Sequence, residues 1–132
     1  MSRIETRESV VKFIYQTAYR QESVEDQLSL YIEENPELEE DRDFFVEMAL
    51  GVMSERGKLD EHISKFLSKW TINRLPRLDR AILETACYEI LYRDDIPVSV
   101  SINEAVRLAK RYGTEDSPSY INGVLSSFEK SL

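Results

Sequence analysis

Apolar residues recur every three or four positions along nearly the whole chain, and strict alternation is almost absent. That period marks helices with one buried face. A first helix is expected to start near Thr6, with Val10, Ile14 and Ala18 on one stripe and Phe13 beside it. Arg3 and Arg7 lie at its start and are expected to face solvent. A second begins near Ser23, carries Val24, Leu28, Tyr31 and Ile32, and stops before Asn35-Pro36 because the residue before proline avoids helical angles. Asp41 or Asp43 is placed to cap a third helix with a wide face of Phe44, Phe45, Met48, Ala49, Val52 and Met53, and Gly57 is expected to end it. Leu59, Ile63, Phe66, Leu67 and Trp70 mark a fourth, and Thr71–Leu75 a short helical turn. The fifth carries Leu78, Ile82, Ala86 and Ile90 until Asp94-Asp95 and Pro97 break it.

Val98 and Val100 flank Ser99, a run too short for a sheet. Ser101 and Glu104 match a capping box, followed by Ala105, Val106, Leu108, Ala109 and Tyr112 up to a stop at Gly113. Ser117 is placed as the cap of a last helix with Pro118 at its first position, and Tyr120, Ile121, Val124, Leu125 and Phe128 follow. The expectation is an all-α bundle of about seven helices. At 132 residues, positions 1–132 are read as one domain, with no internal repeat, flexible linker or low-complexity stretch.

Composition narrows the chemistry. The one cysteine, Cys87, sits in an apolar stretch and reads as a small core residue; no internal disulfide can form, which fits a reducing cytoplasm. The one histidine, His62, has no Cys or His neighbour to share a metal with. A phosphate-binding glycine loop is absent, and Asp94-Asp95 reads as a turn. No signal peptide or membrane helix is expected. The class implied is a binding module, not an enzyme, with no cofactor and no metal.

Net charge is −8, but it is unevenly spread. Residues 1–20 carry +2, residues 21–62 carry −11, and residues 63–132 carry +1. The excess acid, including the run Glu33–Asp43 read as a solvated helix end and loop, is therefore confined to the middle, and two other regions could present basic faces. In the first, Arg3 and Arg7 stand one helical turn apart and Tyr15 two turns beyond; arginine holds phosphate bidentately and a tyrosine ring stacks on an unpaired base. A polar helix start with scattered charge is the plainer reading. The second candidate is the turn Thr114–Tyr120, which places Tyr120 near a helix N-terminus; Asp116 there would oppose an RNA backbone. An ordinary helix–helix connection is its alternative. Asn122-Gly123 lies inside the last helix, and close packing of a neighbouring helix is the favoured reason for glycine there. Trp70 and Tyr88 read as core or interface aromatics. Arg74, Arg77 and Arg80, with Asp79 among them, form either a solvated helix start or a charged rim for a protein partner.

Taken in order, Arg7-Glu8 with Tyr15, Trp70 with Arg74-Leu75, Asp79-Arg80-Ala81-Ile82-Leu83, Tyr88-Glu89-Ile90-Leu91, Ile96-Pro97, Ile102-Asn103-Glu104-Ala105-Val106, Ala109-Lys110-Arg111-Tyr112-Gly113 and Asn122-Gly123-Val124-Leu125 resemble the NusB family over nearly the full length. The resemblance implies two packed helical subdomains and a role in bacterial transcription antitermination, especially on ribosomal RNA operons. It implies pairing with NusE, a small-subunit ribosomal protein, binding of single-stranded boxA RNA by the pair, and indirect assembly with other Nus factors on RNA polymerase. By position, Arg3, Arg7, Tyr15, Asp116 and Tyr120 match the RNA-facing region, and Asp79, with Arg80 nearby, matches the NusE-facing region. The N-terminus departs from the family's denser arginine arm, so weak RNA binding without the partner is expected. Two alternatives stay open. One is a protein–protein adaptor with little RNA binding of its own, and the other is the NusB-like domain that precedes some ribosomal RNA cytosine methyltransferases, for which this chain carries no methyltransferase segment. Some NusB-like proteins self-associate over the RNA face, and the sequence leaves a homodimer open.

Overall fold

A computed structural model describes residues 1–132. It is all helical, with six α-helices and one 3-10 helix: α1 (Arg3–Thr17), α2 (Val24–Glu34), the 3-10 turn Pro36–Asp41, α3 (Arg42–Ser64), α4 (Arg77–Tyr92), α5 (Val98–Tyr112) and α6 (Ser117–Lys130). One cluster of 30 buried apolar residues draws on all six helices. Helix α4 is its axis. Every residue from Ala81 to Ile90 is buried, and α4 packs against α1, α3, α5 and α6.

The expected count of seven is corrected at Gly57. Val52, Leu59 and Ile63, all fully buried, stay in one helical phase across the glycine, so a single 23-residue α3 replaces the expected third and fourth helices. A mid-helix glycine costs only about 1 kcal/mol, less than the burial of Leu59 and Ile63 returns. Helix α3 ends at Ser64 and leaves Trp70 outside any helix, 43% exposed.

Helix starts also differ from expectation. Helix α1 begins at Arg3 behind a complete capping box of Ser2 and Glu5. Asp41 occupies the cap position of α3 but makes no capping hydrogen bond. Helix α5 starts at Val98 after Pro97, so Ser101 is inside the helix, where its hydroxyl donates to Glu89 Oε1 at 2.6 Å in place of capping. Ser117 is the first residue of α6 and not its cap; it accepts from the Thr114 amide at 3.0 Å and donates to Asp79 Oδ2 at 3.0 Å. Gly113 closes α5 as expected, because a Cβ there would lie 2.6 Å from Ser117 Cβ. Gly123 is not a packing glycine: it is exposed, and nothing lies within 4 Å of where its Cβ would be.

Candidate nucleic-acid interface

Helix α1 presents Arg3, Arg7 and Tyr15, but it gives them three different surroundings. Arg7 is only 5% exposed, against the expected solvent-facing position. Its Nε donates to Glu89 Oε2 at 2.9 Å, and its Nη1 lies 3.5 Å from Glu104. Glu89 is buried in the middle of α4, so a cation had to accompany it out of water. Arg3 is exposed, yet it donates to Asp41 at 2.9 Å and its guanidinium lies 3.9 Å from the Phe44 ring centroid. Both arginines of the arm are therefore neutralised. Tyr15 is 38% exposed, and its ring centroid is 5.5 Å from that of Tyr19.

Three surface grooves meet at the first turn of α4. One, of about 480 Å³, runs between α1 and α5 and is lined by Lys12, Tyr15, Gln16, Leu78, Leu108 and Tyr112, among others. A second, of about 330 Å³, lies on the other side of Tyr15 and includes Asn73, Arg77 and Arg80. The third, of about 220 Å³, is bounded by Lys69, Trp70, Pro76, Asp116 and Tyr120, with Asp79 and Ser117 in its wall. Pro76, Arg77, Leu78 and Asp79 thus touch the grooves in turn, which brings Tyr15 and Tyr120 to opposite flanks of one short helical turn. Neither Arg3 nor Arg7 lines any of the three.

Asp79 is 5% exposed, so it meets the surface only as part of a groove wall. Burial raises its carboxyl pKa, and the Ser117 hydroxyl works against that rise. Arg80 is also committed: it donates to Asp60 at 2.6 Å and lies 3.4 Å from Glu84. Glu84 is fully buried, and its pKa is pushed up to about 8 by burial and by the neighbouring Asp60, against the pull of Arg56. Asp116 is exposed, whereas the Tyr120 hydroxyl is buried without a hydrogen-bond partner. Lys12, Gln16, Leu78 and Tyr112 line the first groove; the sequence pattern marks Leu78 and Tyr112 as helix positions and none of the four as a site residue. Lys12 and Gln16 share a helical face with Tyr15, which is the one local signal pointing to them. No cluster of three or more His, Cys, Asp or Glu side chains is arranged to hold a metal, and no helix is long and apolar enough to cross a membrane.

A family model described as "NusB family" matches residues 4–130. The transcription antitermination protein NusB of Acetivibrio thermocellus is 41% identical over 130 residues, covering 98% of this chain and 90% of that protein. That of Bacillus subtilis is 37% identical over 132 residues, covering 100% and 98%. Among solved structures, NusB of T. maritima superposes with a TM-score of 0.88 at 36% identity, covering 98% of this chain and 92% of that one. A chain from the complex of antitermination factors NusB and NusE with dsRNA has a TM-score of 0.87, covering 100% of both chains; at 21% identity it speaks to the fold alone.

Proposed function

The chain belongs to the NusB family, and from that premise we propose that it is a bacterial transcription antitermination factor that binds RNA as an adaptor and performs no catalysis. It pairs with NusE, binds the single-stranded boxA element of nascent ribosomal transcripts in the cytoplasm, and holds that RNA near polymerase together with other Nus factors. The observation that carries the RNA reading is the pair of aromatic side chains, Tyr15 and Tyr120, on either flank of the grooved first turn of α4. Aromatic faces at groove walls accept unpaired bases without regard to sequence.

Arg3 and Arg7 enter this reading in different roles. Arg7 positions α1 against α4 and α5 from beneath the surface, and Arg3 can reach phosphate only by leaving Asp41. Asp79 would face NusE only through the groove wall, and Arg80 only at its exposed edge. The test is titration of a labelled boxA-type RNA and a scrambled RNA with the protein, alone and with NusE. Preference for boxA that strengthens with NusE, and weaker binding of RNA by Tyr15→Ala and Tyr120→Ala, are expected. Equal weak binding of both RNAs with NusE present rejects it.

The neutralised arginines favour a second reading, a protein–protein adaptor that leaves RNA contact to its partner. It expects Tyr15→Ala and Tyr120→Ala to leave RNA recruitment unchanged while binding to NusE persists.

A further inference from the structure

From His62 to Leu78 the chain carries no Asp or Glu, although it holds 25 acidic residues in all. This segment runs from the end of α3 through the connection to α4 and into its first turn. Most cations elsewhere are committed: Arg3, Arg7, Lys12, Arg42, Arg56, Lys58, Arg80, Arg93, Arg107 and Arg111 all make ion pairs. Lys65, Lys69, Arg74 and Arg77 make none, nor does Arg20 just beyond α1, and all five are exposed. The remaining unpaired cations, Lys110 and Lys130, sit apart on α5 and α6. Unpaired positive charge is thus concentrated at one end of the molecule, away from the arginine arm.

The fold joins these residues. Arg77 stacks over the Tyr19 ring at 4.8 Å, so the end of α1 lies against the start of α4. Asn73 and Arg77 share a groove with Tyr15 and Ala18, and Lys69 and Trp70 share the next one with Tyr120. Tyr19 and Trp70 are 59% and 43% exposed. Large aromatic rings left in water beside unpaired cations combine the two attractions a single-stranded nucleic acid offers: base faces to stack and phosphates to neutralise.

We propose that the surface formed by Arg20, Arg74 and Arg77 with Tyr19 and Trp70 is the phosphate-contacting and base-stacking extension of the RNA site, carrying the strand past Tyr15 and Tyr120. It rests on the RNA-binding reading above and relocates the electrostatic contacts from Arg3 and Arg7 to the α3–α4 connection. A free cation binds phosphate by displacing only water and counter-ions, whereas Arg3 must first give up Asp41 and Arg7 must leave the buried Glu89 without its cation.

The test measures the salt dependence of binding to a fluorescein-labelled single-stranded boxA-type RNA, with NusE present, for the intact protein and its variants. Each phosphate contact on a single strand contributes about 0.7 to the slope of log affinity against log salt. Arg74→Gln with Arg77→Gln is expected to lower that slope by about 1.4. Lys110→Gln with Lys130→Gln is expected to leave it unchanged. Arg74→Gln alone, at a side chain that makes no ion pair, is expected to lower it by about 0.7 and separates the effect from folding. Trp70 is the sole tryptophan, so its emission reports stacking directly and is expected to fall on addition of unlabelled RNA. An unchanged slope in the Arg74/Arg77 variant, with Arg3→Gln lowering it, overturns the relocation and leaves RNA binding intact. Unaltered Trp70 emission at saturating RNA overturns the stacking contact. No preference for boxA over scrambled RNA by the intact protein, even with NusE, rejects the underlying RNA reading, a different outcome from either.

Discussion

Arg7 shows how far a residue's role can turn on its neighbours. Glu89 is buried on α4 with Ser101 and Arg7 as its partners, and Glu104 shares the same arginine. Arg7→Ala leaves buried Glu89 with no cation, only the Ser101 hydroxyl, while Glu104 keeps Arg107 at 3.3 Å. The expected cost is about 3–5 kcal/mol, read as a lower midpoint in denaturant, and any loss of RNA binding in this variant follows the loss of fold. A second buried carboxylate gives a pH effect. The pKa of Glu84 in the folded protein rises from 4.5 to about 8 because burial disfavours its charged form. The folded state then holds the proton more tightly than the unfolded chain does. Its contribution to stability is greatest below 4.5 and is lost as pH rises through the window to about 8. Thermal melting is expected to drop across that window in the natural protein, and Glu84→Gln is expected to flatten the drop.

At the scale of elements, α3 contains two glycines with opposite roles. A Cβ on Gly51 would lie 2.1 Å from the Tyr88 hydroxyl, which donates to Glu47 at 3.0 Å, whereas nothing lies within 4 Å at Gly57. Gly51→Ala is therefore expected to cost about 1–3 kcal/mol by pushing Tyr88 off α3. Gly57→Ala is expected to stabilise by up to about 1 kcal/mol, since only helix propensity changes. Paired urea unfolding curves check both signs. Before tertiary contacts are known, the two look alike, and Gly57 reads as a helix stop because it lies between two apolar clusters. Ser101 is misread for the same kind of reason. Its spacing to Glu104 is that of a capping box, but the hydroxyl is claimed by Glu89 from α4, twelve residues away in the chain. The starts of α1 and α2 are different: Ser2 and Ser23 make local capping bonds to Glu5 and Asp26, and such contacts are encoded within one turn.

For the whole molecule, the distribution of charge matters more than its sum. The chain is acidic at −8, yet its acid-free stretch from His62 to Leu78 carries four unpaired cations, one of which, Arg77, lines the groove beside Tyr15. Asp116 is the exposed carboxylate of the adjoining groove, which holds Trp70 and Tyr120. Removing its charge should relieve repulsion of the RNA backbone worth about 1 kcal/mol at close range in water. Asp116→Asn is accordingly expected to tighten RNA binding by about fivefold at low salt and by less at high salt, measured by fluorescence anisotropy. A decrease would show that Asp116 accepts a hydrogen bond from the RNA.

The chain's own order of residues determined the all-helical class, the path of α4 and α6, and the family, because 3.6-residue periodicity and short motifs are local properties. It also marked Tyr15, Asp79, Asp116 and Tyr120 as candidate contact residues, though not on one surface. Tertiary structure alone decided that Arg7 and Asp79 are buried, that Arg3 is paired with Asp41, and that α3 runs unbroken through Gly57. It also decided which cations remain free. Whether an arginine is available to a ligand depends on the carboxylates that folding brings to it. For Arg3 and Arg7, and for the Asp60 that pairs with Arg80, those lie on other helices or turns, at separations that no local pattern records.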